Sequence, residues 1–444
     1  MRTVWLVLLM ALTPLAWGPV ADAAPGGGSE RPGSERPGAR WCAGERATIV
    51  GKNRGDGVLE GTAGRDVIVT DGARITRGRG GNDLICVAGG RWSERLVSGG
   101  VGKDRILVNQ RRAHLHIWPG PGNDVVRGGA GPERILQWGA QLGRDVLRLG
   151  AGNDVVDYRT SARSRDAIYL GPGADQAFCM LTCPFPAGGA RFAGGPGRDS
   201  LDLEDGPGAL SRVRFDMAAA AVTSNLGTIH VPGIEDTSFS SRSDDVVGSY
   251  RGTEGDDRFA YLSGDFSSVV LGGGDDEVFP PHGNKLGDTL EGGPGSDLLR
   301  LPEYGAITAD LTSGTASRDA GPDRSEWFFG GFENIEALGS TSATITGTTG
   351  PNVIYVGGCS VEVNAGGGDD TVSFKEYRET GDSMAGVSCD NRPSGWELNG
   401  EDGDDLLVSW YLDDVLVGGP GTDTADGRGG EDSCEAENEV ACES

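Results

Sequence analysis

Gly292-Gly293-Pro294-Gly295-Ser296-Asp297-Leu298-Leu299 is one of four complete copies of a Gly-Gly-x-Gly-x-Asp-x-apolar stretch. The others begin at Gly99, Gly194 and Gly418 and place their acids at Asp104, Asp199 and Asp423. Copies in which one early glycine is replaced centre on Asp66, Asp83, Asp124, Asp154, Asp175, Asp257, Asp276, Asp370, Asp405 and Asp432. An apolar residue recurs two places after the acid, as at Ile85, Ile106, Val126, Val156, Leu201, Val278, Leu299, Val372 and Leu407. Apolar residues also alternate just before the loops, as in Leu115-His116-Ile117-Trp118 and Val361-Glu362-Val363. Strand, glycine loop, strand is the reading that fits both periods.

Successive acids are separated by 17 (66 to 83), 21 (83 to 104), 20 (104 to 124), 21 (154 to 175), 19 (257 to 276) and 21 (276 to 297) residues. A period near 20 predicts a solenoid coil. With two short strands per coil, residues one period apart stack about 4.8 Å apart, so the carboxylates form a column. Such a column repels itself unless cations sit between successive loops. Calcium suits it best, because it takes six to eight oxygens in flexible geometry and a glycine loop lets backbone carbonyls supply most of them.

The composition agrees. Of 444 residues, 77 are Gly and 22 Pro, and 39 basic against 66 acidic side chains leave a net charge of −27. This balance argues against one large core and against nucleic acid as a partner. Low hydrophobicity with high charge is also the signature of disorder, but eight Cys and nine Trp argue against disorder throughout.

Residues 1–24 read as a signal peptide: Arg2 precedes an apolar run from Val4 to Trp17, and Ala21-Asp22-Ala23 supplies the cleavage pattern. The run is too short and Pro-interrupted to be a span, and no membrane span is expected after its removal. Residues 25–40, with a doubled Ser-Glu-Arg-Pro-Gly, read as a disordered linker. An even number of Cys in an exported chain predicts disulfides, with sequence neighbours paired: Cys42–Cys86, Cys179–Cys183, Cys359–Cys389 and Cys434–Cys442. A zinc site at Cys179 and Cys183 is disfavoured, since no second close Cys or His pair lies nearby in sequence.

Ala47-Thr48-Ile49-Val50-Gly51, Gly61-Thr62-Ala63-Gly64-Arg65-Asp66-Val67-Ile68 and Gly80-Gly81-Asn82-Asp83-Leu84-Ile85-Cys86 resemble the opening of the hemolysin-type calcium-binding (RTX) repeat proteins. That resemblance implies an all-β chain, a parallel β-roll or β-solenoid. Several calcium ions would lie between loops of adjacent coils, with the fourteen aspartates named above as side-chain ligands. It implies weak or empty sites where the pattern departs: Glu133 and Asn352 stand in for the acid, and the loop at Asp145 has lost most of its glycines. Family members exported by the type I route lack a cleavable leader, so this chain is expected to use the Sec route.

Two longer units, from Val213 to Asp257 and from Ile307 to Asn352, resemble each other and are expected to be wider coils. They divide the chain into a repeat block over 41–208, a wider coil with a second block over 209–303, and a wider coil with a third block and C-terminal cap over 304–444. No G-x-S-x-G, H-E-x-x-H or P-loop pattern occurs, and His114 and His116 alternate on one strand face without further ligands nearby in sequence. The expected function is that of a secreted, non-enzymatic calcium-binding protein that folds on meeting extracellular calcium. A cell-surface or adhesive rod with an unknown partner is the first alternative, and a polysaccharide-active solenoid enzyme, disfavoured by the net charge, the second.

Overall fold

The computed structural model describes residues 41–443 except 52–56, 90–93, 110–113, 139–142, 160–164, 182–189, 206–209, 242–244, 262, 281–282, 286, 302–304, 322, 339–340 and 375–394. The expected signal peptide and linker lie outside the described residues, as do Cys183 and Cys389. Cys179 and Cys359 are both disulfide-bonded.

Among the described residues every regular element is a strand, and hence no helix is long and apolar enough to cross a membrane. One coil shows how the sequence winds. Glu94–Ser98 runs into the glycine loop 99–104, the chain reverses into Arg105–Val108, and it returns as His114–Trp118 beside the strand it left. Because each coil lies on the last, the strands pair in parallel with their counterparts one turn away. One face is a single ladder of 18 strands from Val58–Glu60 to Asn438–Val440; the other is a 14-stranded sheet followed by an 8-stranded one. The chain is an all-β, parallel β-solenoid of the β-roll kind.

The apolar residue two places after each acid is the core. Ile68, Ile85, Ile106, Val126, Leu147, Ile168 and Phe192 are in successive register on one sheet and each is wholly buried. Ile135, Val156, Ala177 and Leu201 form the facing column. An Asp at the end of a loop thus fixes which residue of the next three points inward, since side chains alternate along a strand.

The two longer units break the parallel rule. In the first, Arg212–Asp216, Ala221–Ser224 and Gly227–His230 form an antiparallel meander. Its last two strands lie between Arg191–Ala193 and Arg212–Asp216, while on the opposite face Ser200–Asp205 pairs directly with Asp236–Ser241. One face is therefore two strands wider than the other, and aromatics fill the interior there. Phe215 touches Phe239, Tyr250, Phe259 and Phe266, and Tyr250 stacks on Phe259 with ring centroids 4.1 Å apart. The second unit repeats the meander with Ala306–Asp310, Thr315–Ala320 and Asp323–Phe328, around wholly buried Trp327.

The Cys42–Cys86 disulfide fastens the hairpin of Trp41–Cys42 and Glu45–Arg46 over the outer side of the first coils, where it buries Val67, Val69 and Leu84. Cys434–Cys442 ties the last coil across its final turn. The last strand, Asn438–Val440, stays exposed and is flanked by Glu437 and Glu443, charges that discourage pairing with another chain.

Candidate metal centres

Each loop acid folds back over its own loop, and its Oδ1 accepts the backbone N–H of the corresponding acid one coil earlier. Asp66 N–H donates to Asp83 at 2.8 Å, Asp83 to Asp104, and Asp104 to Asp124 at the same distance. The ladder continues through Asp145 to Asp166. These acids all precede strands of one sheet. A second ladder precedes strands of the opposite sheet and runs Glu133, Asp154, Asp175, Asp199. It resumes as Asp257, Asp276, Asp297, and again as Asn352, Asp370, Asp405, Asp423. Asp414 and Asp432 form a short run back on the first edge.

The single column read from the spacing is thus two columns on opposite edges of the solenoid. The reason lies in the half-coil. A spacing near 20 stays on one edge, whereas the spacing of 9 between Asp423 and Asp432, or between Glu133 and Asp124, crosses to the other.

The second carboxylate oxygen decides the chemistry. In Asp83, Asp104, Asp124, Asp154, Asp175, Asp199, Asp276, Asp297, Asp370, Asp405, Asp414, Asp423 and Asp432, Oδ2 is buried without any hydrogen-bond donor. An ionised carboxylate in that position is costly, and its pKa moves to avoid the charge. Burial pushes Asp124 up to about 8, with the charges of Asp145 and Asp104 adding to it against the backbone hydrogen bond. The same desolvation takes Asp154 and Asp276 to about 7, and Asp83, Asp199, Asp297 and Asp370 to about 6. Burial also raises Asp104, Asp175, Asp405, Asp414 and Asp432.

Other carboxylates in the ladders are satisfied by the protein. Gln137 Nε2 donates to Asp145 Oδ2 and the Tyr158 hydroxyl to Asp166 Oδ2, both at 2.7 Å. Asp66 Oδ2 takes the backbone N–H and hydroxyl of Thr62 at 2.7 and 2.9 Å, and Asp257 Oδ2 takes those of Thr253. Asn352 Oδ1 receives the same pair from Thr348. These three Gly-Thr-x-Gly-x-Asp/Asn loops each open a run. Glutamates close the runs: Glu235, Glu333, Glu437 and Glu443 accept the N–H of Asp199, Asp297, Asp423 and Asp432. Glu133, expected as a departure, heads the second ladder, and burial pushes its carboxyl up to about 8.

The glycines follow from this geometry. A Cβ on Gly99 would lie 2.6 Å from Asp104 Oδ2 and 2.3 Å from the Pro119 carbonyl, so the first glycine makes room for the returning carboxylate and the neighbouring coil. Gly100 and Gly102 turn at φ of 106° and 149°, where a side chain is strained. The fifth position carries a second, exposed ladder of opposite sense: Asn82 and Asn123 accept the N–H of Lys103 and Arg144, one coil later.

Sequence reading passed over Asp166 and Asp414, whose loops contain no glycine, and the closing glutamates. The signal that finds the two aspartates is spacing: Asp166 is 21 residues after Asp145 and 9 before Asp175, and Asp414 lies 9 residues from both Asp405 and Asp423. Among the described residues no three His, Cys, Asp or Glu side chains converge as a metal site. One carboxylate per loop and a surplus of backbone carbonyls is a donor set of hard oxygens, which suits calcium and not a thiolate- or imidazole-seeking metal. His114 and His116 do alternate along their strand, the first exposed and the second half-buried.

No curated protein sequence matches the chain. Residues 118–132, 140–159, 339–372 and 412–438 match the family model of the RTX calcium-binding nonapeptide repeat. The two ladders of loop acids on a parallel β-roll thus carry four copies of the RTX calcium-binding nonapeptide repeat, the repeat of hemolysin-type calcium-binding proteins.

Proposed function

We propose that this is an exported, non-enzymatic calcium-binding β-roll whose folding is coupled to extracellular calcium. The observation that carries the reading is the row of buried Oδ2 atoms without donors. A cation between loops supplies what each lacks, and the repeated pattern supplies it coil after coil. The side chains that would hold the ions are those thirteen aspartates. Of the expected ligands, Asp66 has both oxygens engaged by the chain and Asp257 has its Oδ2 engaged by both Thr253 donors, which suits the start of a run. Calcium would neutralise the columns and cross-link successive coils, so that ion binding and coil formation become one process. Export rests on the leader-like residues 1–24, and the non-enzymatic reading on the lack of any catalytic pattern in the sequence.

Circular dichroism of the mature chain tests this. In excess chelator at neutral pH the β signal should be largely lost and should return on calcium titration. Magnesium should not restore it, because it demands octahedral geometry and gives up its waters reluctantly. Full β structure in chelator would overturn the coupling.

A further inference from the structure

The net charge of −27 conceals a polar division along the chain. Residues 41–208 contain 22 basic and 19 acidic side chains, a balance of +3, whereas residues 209–444 contain 13 basic and 44 acidic, a balance of −31. Within the first block the acids are largely withdrawn from the surface: Asp83, Asp104, Asp124, Asp145, Asp154, Asp166, Asp175 and Asp199 are all buried in the two ladders. Among the described bases of this block all but Arg95 are exposed.

Four of the exposed arginines share one sheet face. Along the outer side of the strands Arg105–Val108, Val125–Arg127, Val146–Arg148, Ala167–Tyr169 and Arg191–Ala193, every charged residue is an arginine: Arg105, Arg127, Arg148 and Arg191. All four are exposed, and among the described residues none has an ion-pair partner. The strand register puts Leu107, Arg127, Arg148 and Tyr169 in one row, and Arg105 and Arg191 in the adjacent row. Tyr169 is framed by two guanidinium groups, Arg148 at 5.0 Å and Arg191 at 6.0 Å from its ring centroid. The hairpin held by Cys42 covers the earlier strands of this sheet and its apolar cluster reaches as far as Leu107, while Arg105, Arg127, Arg148 and Arg191 stay exposed.

Four unpaired guanidinium groups on neighbouring strands form a flat comb whose teeth are spaced by multiples of about 4.8 Å. Guanidinium forks take carboxylate, sulfate or phosphate in two parallel hydrogen bonds. We infer that this face binds a linear acidic polysaccharide lying across the strands, with its anionic groups on the arginines and one sugar ring against Tyr169. The net charge alone argues against any polyanion; its segregation removes that objection for this block. A nucleic acid suits the face less well. Among the described residues no helix stands on this face to enter a duplex groove, and a single strand needs successive aromatic platforms where these strands have one tyrosine.

The experiment measures binding of the calcium-loaded mature chain to immobilised heparin (sulfated) and to polygalacturonate (carboxylated), with single-stranded DNA and neutral dextran alongside. Retention on either acidic polysaccharide and not on dextran is expected. The double substitution Arg127→Ser, Arg148→Ser should weaken it on the order of 10-fold and lower the slope of log affinity against log salt by about two. Tyr169→Ala should weaken it with no change of slope. Arg324→Ser, far along the chain in the second meander, should change nothing, and circular dichroism in calcium checks that each variant is folded. The inference is overturned if neither polysaccharide is retained, if the double variant binds like wild type, if Arg324→Ser costs as much, or if single-stranded DNA binds more tightly. A wild type that self-associates through these arginines and ignores both polymers would equally overturn it.

Discussion

Asp124 and Asp145 are consecutive members of one ladder, each accepting a backbone N–H at 2.8 Å, yet they end differently. Asp124 stands in Gly120-Pro121-Gly122-Asn123 and leaves a buried oxygen without a donor; Asp145 stands in a loop with one glycine and receives Gln137. One coil on, Asp166 has no glycine in its loop and receives Tyr158. The ladder hydrogen bond alone therefore does not make a metal centre. On the proposed reading, what makes one is the pairing of that bond with a glycine-rich loop and a carboxylate oxygen that no side chain serves. Asp414 is the exception, glycine-free and still without a donor, and there burial raises the pKa against the pull of the adjacent Ser409 hydroxyl.

The most forceful way to break this contrast is pH without metal. Burial lifts carboxyls such as Asp83, Asp276 and Asp124 from 3.8 to about 6, 7 and 8 in the folded chain. For an acid raised on folding, the folded state binds more protons, so its stabilisation is complete below about pH 4 and is lost as pH rises through about 6 to 8. In chelator the chain should thus be more ordered at pH 5 than at pH 8. Calcium competes with those protons, so in calcium the order should reverse. Thermal melts at both pH values check this, and equal melting temperatures in chelator would mean that the carboxylates are not buried as described.

A smaller effect separates the two aspartates directly. Asp124→Asn should abolish the ions on either side of its loop, a loss of about two by nearest-neighbour logic, whereas Asp145→Asn should lose none. Calorimetric stoichiometry distinguishes them. Asp297→Ala against Asn352→Ala repeats the test on the other edge. Equal losses within either pair would sink the distinction.

The smallest effects belong to the side chains that replace the ion. Tyr158→Phe removes the hydroxyl donor to Asp166 Oδ2 and should cost about 1–3 kcal/mol in calcium with no change in ions bound. Thr253→Val, which leaves Asp257 its backbone donor, should cost about 1 kcal/mol. Denaturant melts read both. A gain of a calcium site in Tyr158→Phe would show that tyrosine and metal are interchangeable there.

Much of this was legible in the residues. The core columns followed from the apolar residue two places after each acid, because a loop that ends in a fixed conformation dictates the alternation of the next strand. The division into two edges was hidden, since coils of 17 to 21 residues disguise whether nine residues advance or reverse the chain. Gln137 and Tyr158 were hidden for another reason: each reaches its acid from a strand eight residues earlier, a contact made by winding and not by any local motif. The glutamates were visible in Gly233-Ile234-Glu235 and Gly331-Phe332-Glu333, but only the ladder gives them a task. The basic face was masked by summing charge over the whole chain.

The threonine at the start of a run and the glutamate at its end bear on how such a chain grows. A break inside a run exposes a backbone N–H whose acceptor is gone and a carboxylate whose neighbour is missing. A break between Glu333 and Asn352 severs no ladder bond of this kind, since the first ends one series and the second begins another. Whole runs are therefore the pieces that duplication or deletion can add or remove while leaving every acid matched, and the resemblance of the two meanders that precede them is what copying in such pieces would leave behind.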